Sequence, residues 1–114
     1  MILEDFKEGW QKAFEERLNS LFKIFPGLSV KSTQRYHGML RVELVALDSE
    51  AQYIVDCVTY RIERKSGTIC EYCGGNGLRR VKFLPEKMCV CWKCYALTVD
   101  ALEHRNIESV ETGL

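Results

Sequence analysis

The chain of 114 residues has no net charge, only two prolines, only two histidines and no long apolar run. Each shortage excludes something. A membrane-spanning helix needs about 18 or more consecutive apolar residues, and no stretch supplies them. Zero net charge removes the global positive field that would draw a chain onto nucleic acid or an anionic membrane. The opening MILEDFKEGWQK carries acids where a secretory leader needs a basic start and an apolar stretch, so a cytoplasmic location is expected. His37 and His104 are the only histidines and read as surface residues, which leaves a His-Asn-His type nuclease centre without its pair. Neither a Gly-rich phosphate loop nor a Ser-His-Asp order is present. The chain therefore reads as a protein that is not an enzyme.

Cysteine, by contrast, is plentiful, with six in the chain. In a reducing compartment a patterned cysteine set points to metal binding or catalysis rather than to disulfides. Cys70, Cys73, Cys91 and Cys94 form Cys-x2-Cys, then seventeen residues, then Cys-x2-Cys. That gap lies inside the roughly 15–20 residues typical of a four-cysteine zinc site. Two residues between cysteines make a tight knuckle that turns both sulfurs toward one ion. Gly74, Gly75 and Gly77 follow the first knuckle, and glycine lets the backbone turn its N–H groups toward thiolates. The second knuckle, CWKC, lacks glycine and is expected to open a helix, whose N-terminus favours thiolate charge. These four cysteines are the predicted ligands of one structural zinc ion. A redox dithiol needs no second pair at this gap. Of the remaining two, Cys57 reads as a small buried apolar residue on a helix. Cys89 shares a strand face with Cys91 and stands as an alternative ligand, at the expense of the two-residue knuckle.

The periodicity predicts an α+β fold. Phe6, Trp10, Ala13, Phe14, Leu18, Leu21, Phe22 and Phe25 recur at spacings of three and four, which predicts a first helix ended by Pro26-Gly27. Gly9 weakens its first turn, so the secure helix is placed from Trp10. Residues 28–36 and 39–47 read as a hairpin turned at His37-Gly38, with Leu28, Val30, Ser32, Gln34 and Tyr36 on one face of the first strand. Leu40, Val42, Leu44 and Ala46 share one face of the second. A second helix is predicted over 49–65, its buried stripe made by Ala51, Ile54, Val55, Val58 and Ile62. A short strand pair through LRRVKFL and KMCVC, turned at Pro85, and a last helix from near Trp92 complete the chain. The organisation read from this is a single domain, 1–114. Its 1–66 part forms an α/β core, 67–105 a zinc-ribbon-like subdomain ending in a short helix, and 106–114 a frayed tail.

Two resemblances attach to these motifs. CEYCGGNG, Cys70–Gly77, resembles the zinc knuckle of J-domain co-chaperones over eight residues, but CWKCYALT lacks the matching glycines and no chaperone function is carried over. Gly9-Trp10, YHGMLRVEL at 36–44 and ERKSGTICEYCGGNGLRR, followed by a terminal cysteine knuckle, resemble a group of small uncharacterised bacterial and phage zinc-binding proteins. In that group the last knuckle often ends in His, where this chain has Cys94. The resemblance implies an α+β zinc-bearing domain and no activity.

Two kinds of partner are open. Residues 61–93 hold eight cations against Glu63, Glu71 and Glu86, and a zinc tetrathiolate would bring its own charge of about −2. That leaves enough positive charge for phosphate contacts, helped by Tyr72, Phe83 and Trp92 if exposed. On an extended strand, however, Arg80 and Lys82 share one face and Arg79 takes the other, so the run cannot present three cations together. A protein-binding regulator or adaptor of phage or mobile-element type is the first reading. A nucleic-acid-binding zinc ribbon, with only weak contacts through Arg79, Arg80 and Lys82, is the alternative.

Overall fold

The computed structural model describes the backbone of residues 1–112 and the side chains of residues 1–103. Three helices and two hairpins follow one another: α1 (Glu8–Ile24), β1 (Ser29–Tyr36), β2 (Met39–Val45), α2 (Ser49–Ser66), β3 (Leu78–Arg80), β4 (Met88–Val90) and α3 (Trp92–Thr112). The fold is α+β, as the periodicity predicts. The expected frayed tail at 106–114 and His104 fall among the residues whose side chains lie outside the described part.

The main core lies between α1, the β1–β2 hairpin and α2. From α1 it takes Trp10, Phe14, Leu18 and Leu21, from β2 Leu40, Val42 and Leu44, and from α2 Val55 and Ile62. Residues ahead of α1 fold back over it. Leu3 is fully buried, its N–H donating to the Glu15 carboxylate at 2.9 Å while its carbonyl accepts from Gln11 at 2.9 Å.

The helix α1 begins at Glu8, two residues earlier than the glycine argument places it. Gly9 is compatible with helix here because its backbone is gripped from outside, as described below. The β1–β2 turn has positive φ at both central residues, 51° at His37 and 78° at Gly38, the twist that tight hairpins favour. The face expected for β1 is overturned by a register shift between Val30 and Ser32. The bulge inserts Lys31, so beyond it Thr33 faces Val42 and Arg35 faces Leu40, while Ser32 and Gln34 turn outward. Val30 is left half exposed.

In α2 the buried stripe is Val55, Thr59, Ile62 and Ser66, rotated from the expected one. Ile54 is exposed and Cys57, expected inside, is exposed too. The cause is β2. The free edge of this strand is met by polar groups of α2: Leu40 N–H donates to Ser66 Oγ at 2.7 Å, and Ala46 N–H to Gln52 Oε1 at 2.8 Å. These bonds turn Gln52 and Ser66 toward the strand and so cover an edge that would otherwise be open. Asp48 caps α2, its carboxylate accepting from Ala51 N–H at 2.8 Å.

The strands β3 and β4 pair antiparallel through three residue pairs, Leu78 with Val90, Arg79 with Cys89 and Arg80 with Met88. Their connection turns earlier than at Pro85: Leu84 N–H donates to Val81 carbonyl at 3.0 Å, and Phe83 takes a φ of 64°. A second, smaller apolar cluster of Cys70, Met88 and Val90, flanked by Tyr72, Leu84 and Tyr95, lies around this hairpin. Among the described residues no helix is long and apolar enough to cross a membrane.

Candidate metal centre

The first knuckle is built by a turn and a glycine. Cys70 carbonyl accepts from Gly74 N–H at 2.9 Å, and Gly74 has a φ of 81°. That left-handed step brings the next amide round, so Gly75 N–H donates to Cys73 Sγ at 3.4 Å. The second knuckle opens α3. Tyr95 N–H donates to Cys91 carbonyl at 2.9 Å, the first bond of the helix, which makes Cys91 its capping residue. Its sulfur accepts from Cys94 N–H at 3.4 Å, the bond a serine or aspartate cap would accept. That amide draws the Cys91 thiol down to about 7, toward the thiolate. Burial and the neighbouring thiols push Cys94 the other way.

The two knuckles meet. The sulfurs of Cys70, Cys73, Cys91 and Cys94 all lie within 4.8 Å of one another, with Cys73 and Cys91 at 3.8 Å. A tetrahedral ion with metal–sulfur bonds of about 2.3 Å needs sulfur–sulfur edges of about 3.8 Å. Four thiols gathered this closely could hold one metal ion and would fill all four of its positions. All four predicted ligands are thus brought together.

Cys89 is not among them. It is fully buried in the main core, on the opposite side of β4 from the knuckles' cluster, and its sulfur lies 2.9 Å from where a Cβ on Gly77 would stand. Burial raises its thiol to about 11. The expectation that Cys89 and Cys91 share a face fails because β4 ends at Val90 and the chain turns into α3 at Cys91.

Residues outside the predicted set hold the site to the body. Glu71, between the first two cysteines, has its side chain buried with 1% exposure. Its carboxylate accepts two bonds from the Arg35 guanidinium, one of them from Nε at 3.0 Å, and Arg35 also meets Glu86. Burial pushes the Glu71 carboxyl up, and Arg35 draws it back toward the charged form. The Glu71 backbone is equally engaged. Its carbonyl accepts from Gly9 N–H at 2.9 Å and from Trp10 N–H at 3.4 Å, while its own N–H donates to Cys89 carbonyl at 2.9 Å. So the knuckle carbonyl satisfies two of the unpaired amides at the start of α1. Trp10 Nε1 adds a bond to Ile69 carbonyl at 3.0 Å.

Gly9 makes the approach possible. A Cβ there would lie 2.1 Å from Cys70 carbonyl oxygen and 2.5 Å from Gly74 nitrogen. The sequence signals were present but quiet: a glycine in a helical first turn, an acid inside a cysteine knuckle, and an arginine on what becomes, after the bulge, an inward position.

The basic run does not converge. Arg79 donates to His37 carbonyl at 3.4 Å. Arg80 Nε donates to Val90 carbonyl at 3.2 Å and its guanidinium lies 5.2 Å from the Tyr95 ring. Lys82 sits in the exposed loop beyond.

No family model, curated protein or solved structure matches the chain.

Proposed function

We propose that this is a non-enzymatic zinc protein whose ion is structural and which works as a small protein-binding regulator or adaptor. One observation carries the first half: four cysteine sulfurs lie within 4.8 Å of one another, enough to fill the four positions of a tetrahedral ion and leave none for a water or a substrate. Thiolate-only tetrahedral coordination suits zinc among the common divalent ions. The ion's role is then to close the loop between residues 70 and 94 and to hold the Glu71 carbonyl against α1. The binding half rests on apolar side chains left outside the core next to this site, with Phe83 67% and Trp92 68% exposed. The nucleic-acid alternative is disfavoured by the separate engagement of Arg79 on His37 carbonyl and Arg80 on Val90 carbonyl, the two groups best shaped to grip phosphate. Metal analysis of the purified protein tests the first half, with one zinc per chain expected; no zinc and four freely reacting thiols would refute it. Affinity capture from the native host, with and without nuclease, tests the second. A protein partner retained after nuclease treatment is expected, and recovery of nucleic acid alone would favour the alternative.

A further inference from the structure

The helices α1 and α2 run antiparallel. Trp10 near the start of α1 bonds to Ile69 just past α2, and Gly27 after α1 packs on Leu47 ahead of α2. Between the two helices lies a groove of about 530 Å³, lined by Arg17, Ser20, Leu21 and Ile24 from α1 and by Val58, Arg61 and Lys65 from α2. That volume falls in the range of sites for small organic molecules. The helical spacing sorts the lining by kind. On α1, Arg17 comes one turn before Leu21 and two before Ile24. On α2, Val58 comes before Arg61 and Lys65. Because the helices are antiparallel, the cations share one end of the groove and the apolar side chains the other, roughly 10 Å apart along the helices. Leu21 is buried and forms the floor, whereas Ile24 is left 65% exposed.

The charge at the basic end is not matched within the chain. No carboxylate lines the groove, and among the described residues Arg17, Arg61 and Lys65 form no ion pair. The acids of the same helices are engaged elsewhere: Glu15 accepts from the amides of Ile2 and Leu3, Asp56 from Gln52, and Glu63 from Arg41. Glu16, beside Arg17, is exposed and outside the lining; counted in full against the three cations, it still leaves two positive charges. The metal centre, with a charge of about −2 on its four thiolates and ion, lies beyond Gly9, about 12 Å of helix away from Arg17. That exceeds the screening length of about 8 Å at physiological salt. Lys65 in the last turn of α2 suits the helix dipole, but Arg61 one turn earlier repels it, and Arg17 faces both from another helix. Three like charges around one cavity are stabilised by an anion that enters it.

We propose that the groove between α1 and α2 binds a single-chain amphiphilic anion. Its carboxylate or phosphate head sits among Arg17, Arg61 and Lys65, and its alkyl chain lies along Leu21, Val58 and Ile24. This site is separate from the metal centre and does not depend on the adaptor reading. A bare anion would leave the apolar end uncovered, and a neutral chain would leave the cations unmatched.

The test titrates the zinc-loaded full chain with decanoate, decyl phosphate, acetate, inorganic phosphate and decyltrimethylammonium, followed by calorimetry and by amide NMR shifts. At least one of the first two is expected to bind below about 1 mM, and the tighter of them names the head group. Acetate and inorganic phosphate, which lack the chain, should bind about tenfold or more weaker, as should the cationic chain. The shifts should gather at residues 17–24 and 58–65. Arg17→Gln with Arg61→Gln is expected to weaken binding about fivefold or more, as is Ile24→Ser. All three side chains are exposed, and unchanged zinc content and circular dichroism separate lost binding from lost folding. No binding of either decyl anion at about 1 mM, equal binding of decyltrimethylammonium, shifts centred elsewhere, or indifference to the double variant would each overturn the proposal. A peptide alternating Leu with Glu that binds tighter than both decyl anions and shifts the same residues would overturn the small-molecule occupant in favour of a partner segment.

Discussion

Gly9→Ala separates two opposite expectations. In an ordinary helix, replacing glycine by alanine stabilises by up to about 1 kcal/mol, because alanine loses less backbone entropy on folding. Here the added methyl would stand 2.1 Å from Cys70 carbonyl oxygen, 2.5 Å from Gly74 nitrogen and 2.8 Å from Glu71 carbonyl carbon. All three are backbone atoms of the knuckle, so no side-chain rotation relieves the contact. The knuckle must withdraw by about 1 Å to restore ordinary van der Waals separation. That movement strains the Gly9 N–H bond to Glu71 and the Trp10 indole bond to Ile69. Two such bonds contribute about 1 kcal/mol each, and overpacking a tight contact costs about 1–3 kcal/mol. Against the helix gain, a net loss of about 2–4 kcal/mol is expected. Urea unfolding of the zinc-loaded protein measures it as a lower midpoint at unchanged slope. Competition with a chromophoric chelator measures the accompanying loss of metal affinity. A variant as stable as wild type, or more stable, would refute the reasoning that the knuckle backbone rests on this helix.

Cys94→Ser should release the metal, whereas Cys89→Ser should keep it and lose stability, because a hydroxyl would replace a thiol in the core; metal content and melting of both variants decide. Stripping the metal with a strong chelator should lower hydrogen-exchange protection in the first turn of α1 as well as in residues 70–98, since Glu71 caps that turn. Protection lost only beyond residue 66 would show that the N-terminal region stands alone. Arg35→Met should destabilise by about 3–5 kcal/mol by leaving Glu71 buried without its partner. Arg35→Met with Glu71→Met should recover part of that loss in denaturant unfolding, and full additivity would argue against the pair.

The four clustered cysteines were legible because spacing alone encodes them: two knuckles and a gap need no tertiary information. The hairpin and α2 were legible for a similar reason, since alternation and helical period are local. The rest depended on contacts between distant segments. One inserted residue, Lys31, reversed the faces of β1 and carried Arg35 inward, and no local pattern announces a bulge. The α2 stripe was read from apolar residues alone, while the strand edge it covers selects Gln52 and Ser66 for their hydrogen bonds. Gly9 was read as a weakness of the helix when its missing side chain is what admits the knuckle.

The bond from Trp10 to Ile69 spans 59 positions of the chain, and the neighbouring cap from Glu71 to Gly9 spans a similar stretch. During synthesis, therefore, the first helix leaves the ribosome with its leading turn unfinished. Its opening amides stay with water until the first cysteine pair has emerged, and the clamp on that pair waits for Cys91 and Cys94. Long-range closure of this kind is entropically costly and slows folding relative to locally wired helices. The emergence of the second cysteine pair thus governs when the first helix acquires its final shape.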